Sequence, residues 1–268
     1  MNYFAAVVNE DEIRASTVIP PYNILASFHY FKKKQELIKD CVLKGYNVFI
    51  DSGAFSAENS GKSIDINEYC RFLIETGVKI YAGLDVIGDA RKTLANTEFM
   101  IKEYGLDPIP TFHLGSDPSD LKKLFDYPYI ALGGLVFSSG TMRYCDEVWS
   151  IILRDRPDMR VHGFGMTNID LMSRYPWYSV DSSSFKGCKR FGRQQILWNE
   201  FEFKTFSEEE YLALLEQQGY NVEGLTNKEK WFLYDFFSVQ SYKVYGAHLK
   251  EVNKIKNFDY LTAQQKLL

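Results

Sequence analysis

The chain has 268 residues, 46% hydrophobic and 25% charged, enough for one large domain, alone or with a small appendage. A formal net charge of −4 excludes a surface that attracts nucleic acid everywhere and leaves that task to a local basic patch. The four cysteines are scattered without C-x-x-C or C-x-C spacing and read as reduced, buried thiols; no apolar run reads as a signal peptide or membrane span, so a cytoplasmic, membrane-free protein is expected.

In chain order, short apolar β-prone runs recur at YNILASF (22–28), NVFID (47–51), KIYAGLD (79–85), PIPTFHLG (108–115), YIALGGL (129–135), RVHGFGM (160–166) and YSVD (178–181). Helix-like segments at 31–44, 65–77, 89–104, 117–126 and 142–155 separate most of them, with Asp65 and Ser116 as caps for two. Continuous apolar strands alternating with helices imply parallel strands covered on both faces. Seven such strands point to an α/β fold of the (β/α)8 TIM-like barrel type, spanning 1–206, with 196–206 as the candidate eighth strand. A doubly wound sheet is the alternative. From 207 the pattern becomes helical: Ser207 with Glu210 and Thr226 with Glu229 form capping boxes that open a small C-terminal helical extension, 207–268. Its aromatic stripe, from Trp231 onward, reads as core packing.

Chemistry in such a barrel sits at the C-terminal ends of the strands. Those ends carry Asp51-Ser52-Gly53, Asp85, His113, Gly133-Gly134, His162-Gly163 and Asp181-Ser182. A helix cap accounts for any one of these acids alone. Three acids on one rim, among glycines that let a flat ligand approach the backbone, point to a site. Two carboxylates across a pocket suit substitution at a sugar anomeric carbon, one attacking while the other moves a proton. A third suits guanine, whose N1–H and N2 amine are adjacent donors. The two histidines lack zinc-motif spacing, so no metal and no cofactor are expected.

The segments DSGAF (51–55), YIALGGL (129–135), HGFGM (162–166) and YSVDSSSF (178–185) resemble the signature segments of the tRNA-guanine transglycosylase superfamily. They are most similar to its compact phage and bacterial branch, which inserts 7-deazaguanines into DNA. The resemblance covers about residues 20–195, in the family's order along its barrel. It implies that Asp181 is the nucleophile on C1′ of a guanosine, and that Asp51 is the acid/base for the leaving guanine and the incoming base. It further implies that Asp85 reads the purine's Watson–Crick edge, that Gly133, Gly134 and Leu135 lie against the base, and that Phe55 and His162 sandwich it.

Two departures stand out. His113 takes the place of the base-reading glutamine of the tRNA enzymes, and the family's zinc motif, C-x-C-x-x-C followed by His, has no match. The resemblance therefore favours DNA over tRNA as partner, with a free 7-deazaguanine base as the second substrate. The stretch KGCKRFGR (186–193) follows Asp181, and its Lys186, Lys189, Arg190 and Arg193 are candidate phosphate contacts; a solvated charged loop is the plainer reading. The remaining alternatives are a tRNA enzyme with a reduced C-terminus, a non-catalytic nucleic-acid-binding relative, and an unrelated barrel lyase. No lysine stands at the inferred strand ends to form a Schiff base for the last.

Overall fold

A computed structural model describes residues 1–135, 140–199 and 202–265, with side chains as far as Val252. Its eight-stranded sheet comprises β1 Asn2–Val7, β2 Asn23–Ser27, β3 Asn47–Asp51 and β4 Ile80–Tyr81. It continues with β5 Thr111–His113, β6 Tyr129–Gly133, β7 Arg160–Gly163 and β8 Ser179–Ser182. The strands are parallel and lie in the order β4-β3-β2-β1-β8-β7-β6-β5. That order is cyclic. A parallel bridge joins Ala82 to Ile109 where the two ends meet, and the Gly83 N–H donates to the Ile109 carbonyl at 2.9 Å. The sheet thus has the order and curl of a TIM-like barrel.

Period-two alternation sorts the side chains. Phe4, Leu25, Phe49, Ala82, Ile109 and Ala131 meet inside the barrel. Their neighbours Tyr3, Ile24, Val48, Ile130, Val161 and Val180 pack outward in the main core. The helices Gln35–Leu43, Ile66–Thr76, Ala90–Tyr104 and Thr141–Asp155 lie where the sequence places them. Asp65 caps as expected, accepting from the Glu68 N–H. Ser116 does not cap its segment. Asp117 does, because Pro118 begins the short 3-10 helix Pro118–Leu124 with its φ already set.

The eighth strand needs correction. The strand missing from the sequence pattern is the first, β1, which lies between β2 and β8. Segment 196–206, of which 200 and 201 lie outside the described residues, is not in the barrel. Its described parts belong to an antiparallel hairpin, β9 Arg193–Leu197 and β10 Phe203–Ser207. Strand β9 alternates in burial, with Gln194 and Ile196 buried and Arg193 exposed, as suits a ribbon with one wet face. Its Ile196 joins Phe206, Tyr211, Leu215 and Tyr234 in a second small core.

The extension consists of the helices Glu208–Gln217 and Asn227–Gln265; its last residues, 266–268, lie outside the described residues. Both capping boxes form: Ser207 with Glu210, and Thr226 with Glu229. The aromatic stripe is core packing, with Tyr242 stacked on Tyr3 and on Phe203 at 4.9 Å each. Lys243 Nζ donates to the carbonyls of Ser16 and Ile19 at 2.9 and 2.7 Å, tying the long helix to the segment after β1. No described helix is long and apolar enough to cross a membrane.

Candidate active site

The alternation that sends Phe49 inward sends Asp51, two residues on, to the same face at the end of β3. Ser52 and Gly53 then turn the chain into the helix Ala54–Asn59. Asp51 Oδ2 accepts from the Gly53 N–H at 3.1 Å. Gly53 adopts φ +77°, and a Cβ there would meet Ser27 Oγ and His29 Cβ, so this glycine is required by the turn itself. Ser52 is fully buried beneath it. Burial, reinforced by the charges of Asp85 and then Asp181, pushes the Asp51 carboxyl up to about 7. The charges of Asp85 and Asp181 reach Asp51, so the three acids lie near one another at the strand ends.

Asp181 is the inward residue of β8 nearest the strand's C-terminal end. Its Oδ1 accepts from the Gly165 N–H at 2.9 Å and lies 3.2 Å from His162 Nε2. Both contacts fall on one oxygen, which leaves Oδ2 without a hydrogen bond to any described residue. Behind His162, Nδ1 lies 2.6 Å from Ser179 Oγ, which in turn meets the Tyr129 hydroxyl at 2.5 Å. One consistent set of donors runs Tyr129 O–H to Ser179, Ser179 O–H to His162 Nδ1, and His162 Nε2–H to Asp181. In that set the ring carries its proton on Nε2, aimed at the acid.

This corrects the expected role of His162. Its ring is 0% exposed, enclosed by Phe49 and Phe164 at 4.7 Å each and by Phe4 at 6.3 Å. It has no face to offer a ligand and instead positions Asp181. Phe55, at 67% exposure, keeps a free ring. Half-buried Phe164, one residue beyond β7, is a second aromatic close to the acids, which the sequence reading passed over.

Asp85 lies beyond β4 on a loop held by the Ala90–Tyr104 helix. Asn96 donates to the Leu84 carbonyl, and Thr93 Oγ1 accepts from the Val86 N–H, both at 2.9 Å. Asp85 Oδ1 stands 3.5 Å from His113 Nε2, and neither buried atom has a hydrogen-bond partner. A buried polar atom left unbonded costs about 1–3 kcal/mol, and these two stand within ion-pair distance of each other at the strand-end rim. A cavity of about 390 Å³ opens beside Asp85, between Ala54, Glu58, Lys62, Ile66 and Asn96.

The glycines serve the protein more than a ligand. A Cβ at Gly133 would stand 2.6 Å from the His113 ring, and one at Gly163 would stand 3.0 Å from Trp177 and Met166. Leu135 is buried in the core. Of this group only Gly134 is exposed, so the expectation of a backbone platform survives at that residue alone.

The basic stretch divides. Lys186 is 4% exposed and bonded at 3.0 Å to Glu12, itself 3% exposed, so it cannot reach a phosphate; that expectation is corrected. Burial draws its ammonium below the ordinary lysine range, against the pull of Glu12. Lys189, Arg190 and Arg193 are exposed. Arg190 donates to Ser183 Oγ at 3.0 Å, two residues past Asp181, and Lys189 lies over the Trp231 ring at 5.1 Å.

The sequence reading missed Ser179, Tyr129, Gly165 and Glu12. Period two from Asp181 finds Ser179 as an inward polar residue; nothing local signals the others. The four cysteines are free and buried. Among the described residues no group of three or more His, Cys, Asp or Glu side chains could hold a metal ion. No protein-family model and no curated protein matches this sequence.

Proposed function

We propose that this chain exchanges a purine base on a nucleic acid, replacing guanine by a 7-deazaguanine through a covalent Asp181 intermediate, with DNA as the strand. One observation carries this reading: two neighbouring acids have different environments. Asp51 holds its proton to about 7, whereas Asp181 presents one oxygen to fixed donors and leaves the other unbonded. That is the division of labour between proton shuttle and nucleophile. The unbonded pair Asp85 and His113 supports a purine edge beside them, and the resemblance of DSGAF and YSVDSSSF to transglycosylase segments agrees.

In the first step Asp181 Oδ2 attacks C1′, the C1′–N9 bond breaks, and Asp51 gives its proton to the departing guanine. In the second, Asp51 takes the N9 proton of the incoming base. N9 then attacks C1′, and the ester to Asp181 breaks, restoring both acids. The target nucleotide has to leave its stack to reach this rim.

Labelled guanine exchange into DNA and tRNA oligonucleotides, run beside denaturing gels for adduct, tests the proposal. We expect exchange into DNA, fastest in unpaired stretches, and an adduct that is lost in Asp181→Ala. Exchange into tRNA alone would replace the strand assignment. An adduct in Asp181→Ala would remove the nucleophile.

A further inference from the structure

A cavity of about 620 Å³, larger than the one beside Asp85, lies between the helix Glu10–Ser16, the turn at 220–226 and the start of the C-terminal helix. Its walls include the rings of Tyr220, Trp231 and Phe232. Tyr220 and Trp231 are exposed. Large exposed rings lining a concave site favour a planar ligand, which recovers stacking on each face. Asp235 also lines this cavity. It is 5% exposed and hydrogen-bonded to no described residue. Burial, with Glu12 beside it, pushes its carboxyl up to about 7 against the pull of Lys189 and Lys186. A carboxyl in that state is completed by a donor from outside the chain, such as the amine of a ring whose faces meet the aromatic walls.

The charges on the rim limit what else the ligand carries. Asp11 is paired with Lys228 at 3.0 Å, and Glu12 with Lys186. Of the other cations lining the cavity, Arg14 lies over the Phe232 ring at 5.9 Å and Lys189 over the Trp231 ring; Arg190, next to Lys189 in the chain, is bonded to Ser183. Lys189 and Arg190 stand on the short segment that follows β8, the strand that carries Asp181. Lys189 thus lines the cavity while its neighbour Arg190 is bonded beside the end of β8, so one short segment of chain links this cavity to the barrel mouth.

We propose that this cavity holds a second, unstacked base of the substrate strand, one bearing an exocyclic amine, stacked on Trp231 and Tyr220 and donating to Asp235. The proposal rests on the nucleic-acid reading above but not on the chemistry at Asp181. It makes the strand's sequence context a property of the C-terminal helix: adenine, cytosine and guanine carry the amine, thymine does not.

The test is fluorescence anisotropy with short single-stranded oligo(dA), oligo(dC) and oligo(dT), each carrying one guanine. We expect the wild-type protein to bind the dA and dC strands more tightly than dT. Trp231→Leu should weaken dA and dC binding by about 5- to 160-fold, the range of one base–aromatic stack, and Trp231→Phe should restore most of it. Asp235→Leu should erase the preference over dT while leaving dT affinity in place, with melting curves confirming that each variant is folded. Equal affinity for the three strands in the wild-type protein, or folded variants that bind as it does, would overturn the site. Guanine exchange on the same strands separates the two readings. Exchange indifferent to both substitutions removes the cavity alone; base-selective binding without exchange removes the exchange reading alone.

Discussion

Asp51 sits at the end of an apolar strand because the inward face of β3 carries it to the rim, and the position has a thermodynamic signature. The unfolded chain releases this proton near pH 4, the folded chain at about 7. Between those values the folded state holds the extra proton, so this group's contribution is complete below about pH 4 and is lost as pH rises through about 7. Asp51→Asn keeps an acceptor for the Gly53 N–H and removes the ionisation. It should raise the melting temperature at pH 8 and change it little at pH 4. Asp235, also held at about 7, leaves some slope in the variant. Exchange should fall by about 10²–10⁴ and lose its pH limb near 7. A helix cap predicts otherwise, since Asn caps as well as Asp; wild-type exchange in this variant would return Asp51 to that role.

At the scale of an element, the segment after β8 carries both a structural clasp and an exposed basic face. Lys186 and Glu12 are buried together across 174 residues of sequence. Removing Lys186 leaves the buried Glu12 charge with only the neutral donors Val8 N–H and Asn9 Nδ2, so Lys186→Ala should cost about 3–5 kcal/mol. Glu12→Leu with Lys186→Met should recover only part of that, because Val8 loses its acceptor. Arg190→Ala removes an exposed guanidinium and should leave the unfolding curve in place. It should instead weaken DNA binding and flatten the log–log salt dependence by about one. Chemical denaturation and salt titration of the three variants check the division. A Lys186→Ala protein of wild-type stability with a reduced salt slope would reverse it.

For the whole molecule, the C-terminal helix is part of the barrel's wall. Tyr242 stacks on Tyr3 of β1, and in the next register pair of that strand Phe4 lies opposite Asp181 of β8. At Gly246 a Cβ would stand 2.8 Å from the Met1 carbonyl oxygen, a backbone atom with little freedom to yield. Tyr242→Ala should therefore destabilise the molecule as one unit by about 3–5 kcal/mol, and Gly246→Val by about 1–3 kcal/mol. Denaturation followed by both near- and far-ultraviolet circular dichroism should show a single displaced transition. Two separate transitions in Tyr242→Ala would mean that the extension unfolds by itself.

The sequence by itself determined seven of the eight barrel strands, most of the helices between them, the capping boxes at Ser207 and Thr226, and the rim positions of Asp51, Asp85, His113 and Asp181. Those features follow from local rules: apolar runs, period-two alternation and short-range cap bonds act within a few residues. Strand β1 escaped because Asn2–Val7 carries two alanines where the other strands carry branched apolar residues, so its place depends on its neighbours β2 and β8. Only the tertiary structure decided that His162 supports Asp181, that Lys186 is consumed by Glu12, that Gly133 makes room for His113, and that Asp235 lines an open cavity. Each of these depends on which distant side chain fills the adjoining space, and packing between remote segments leaves no periodic trace in the chain.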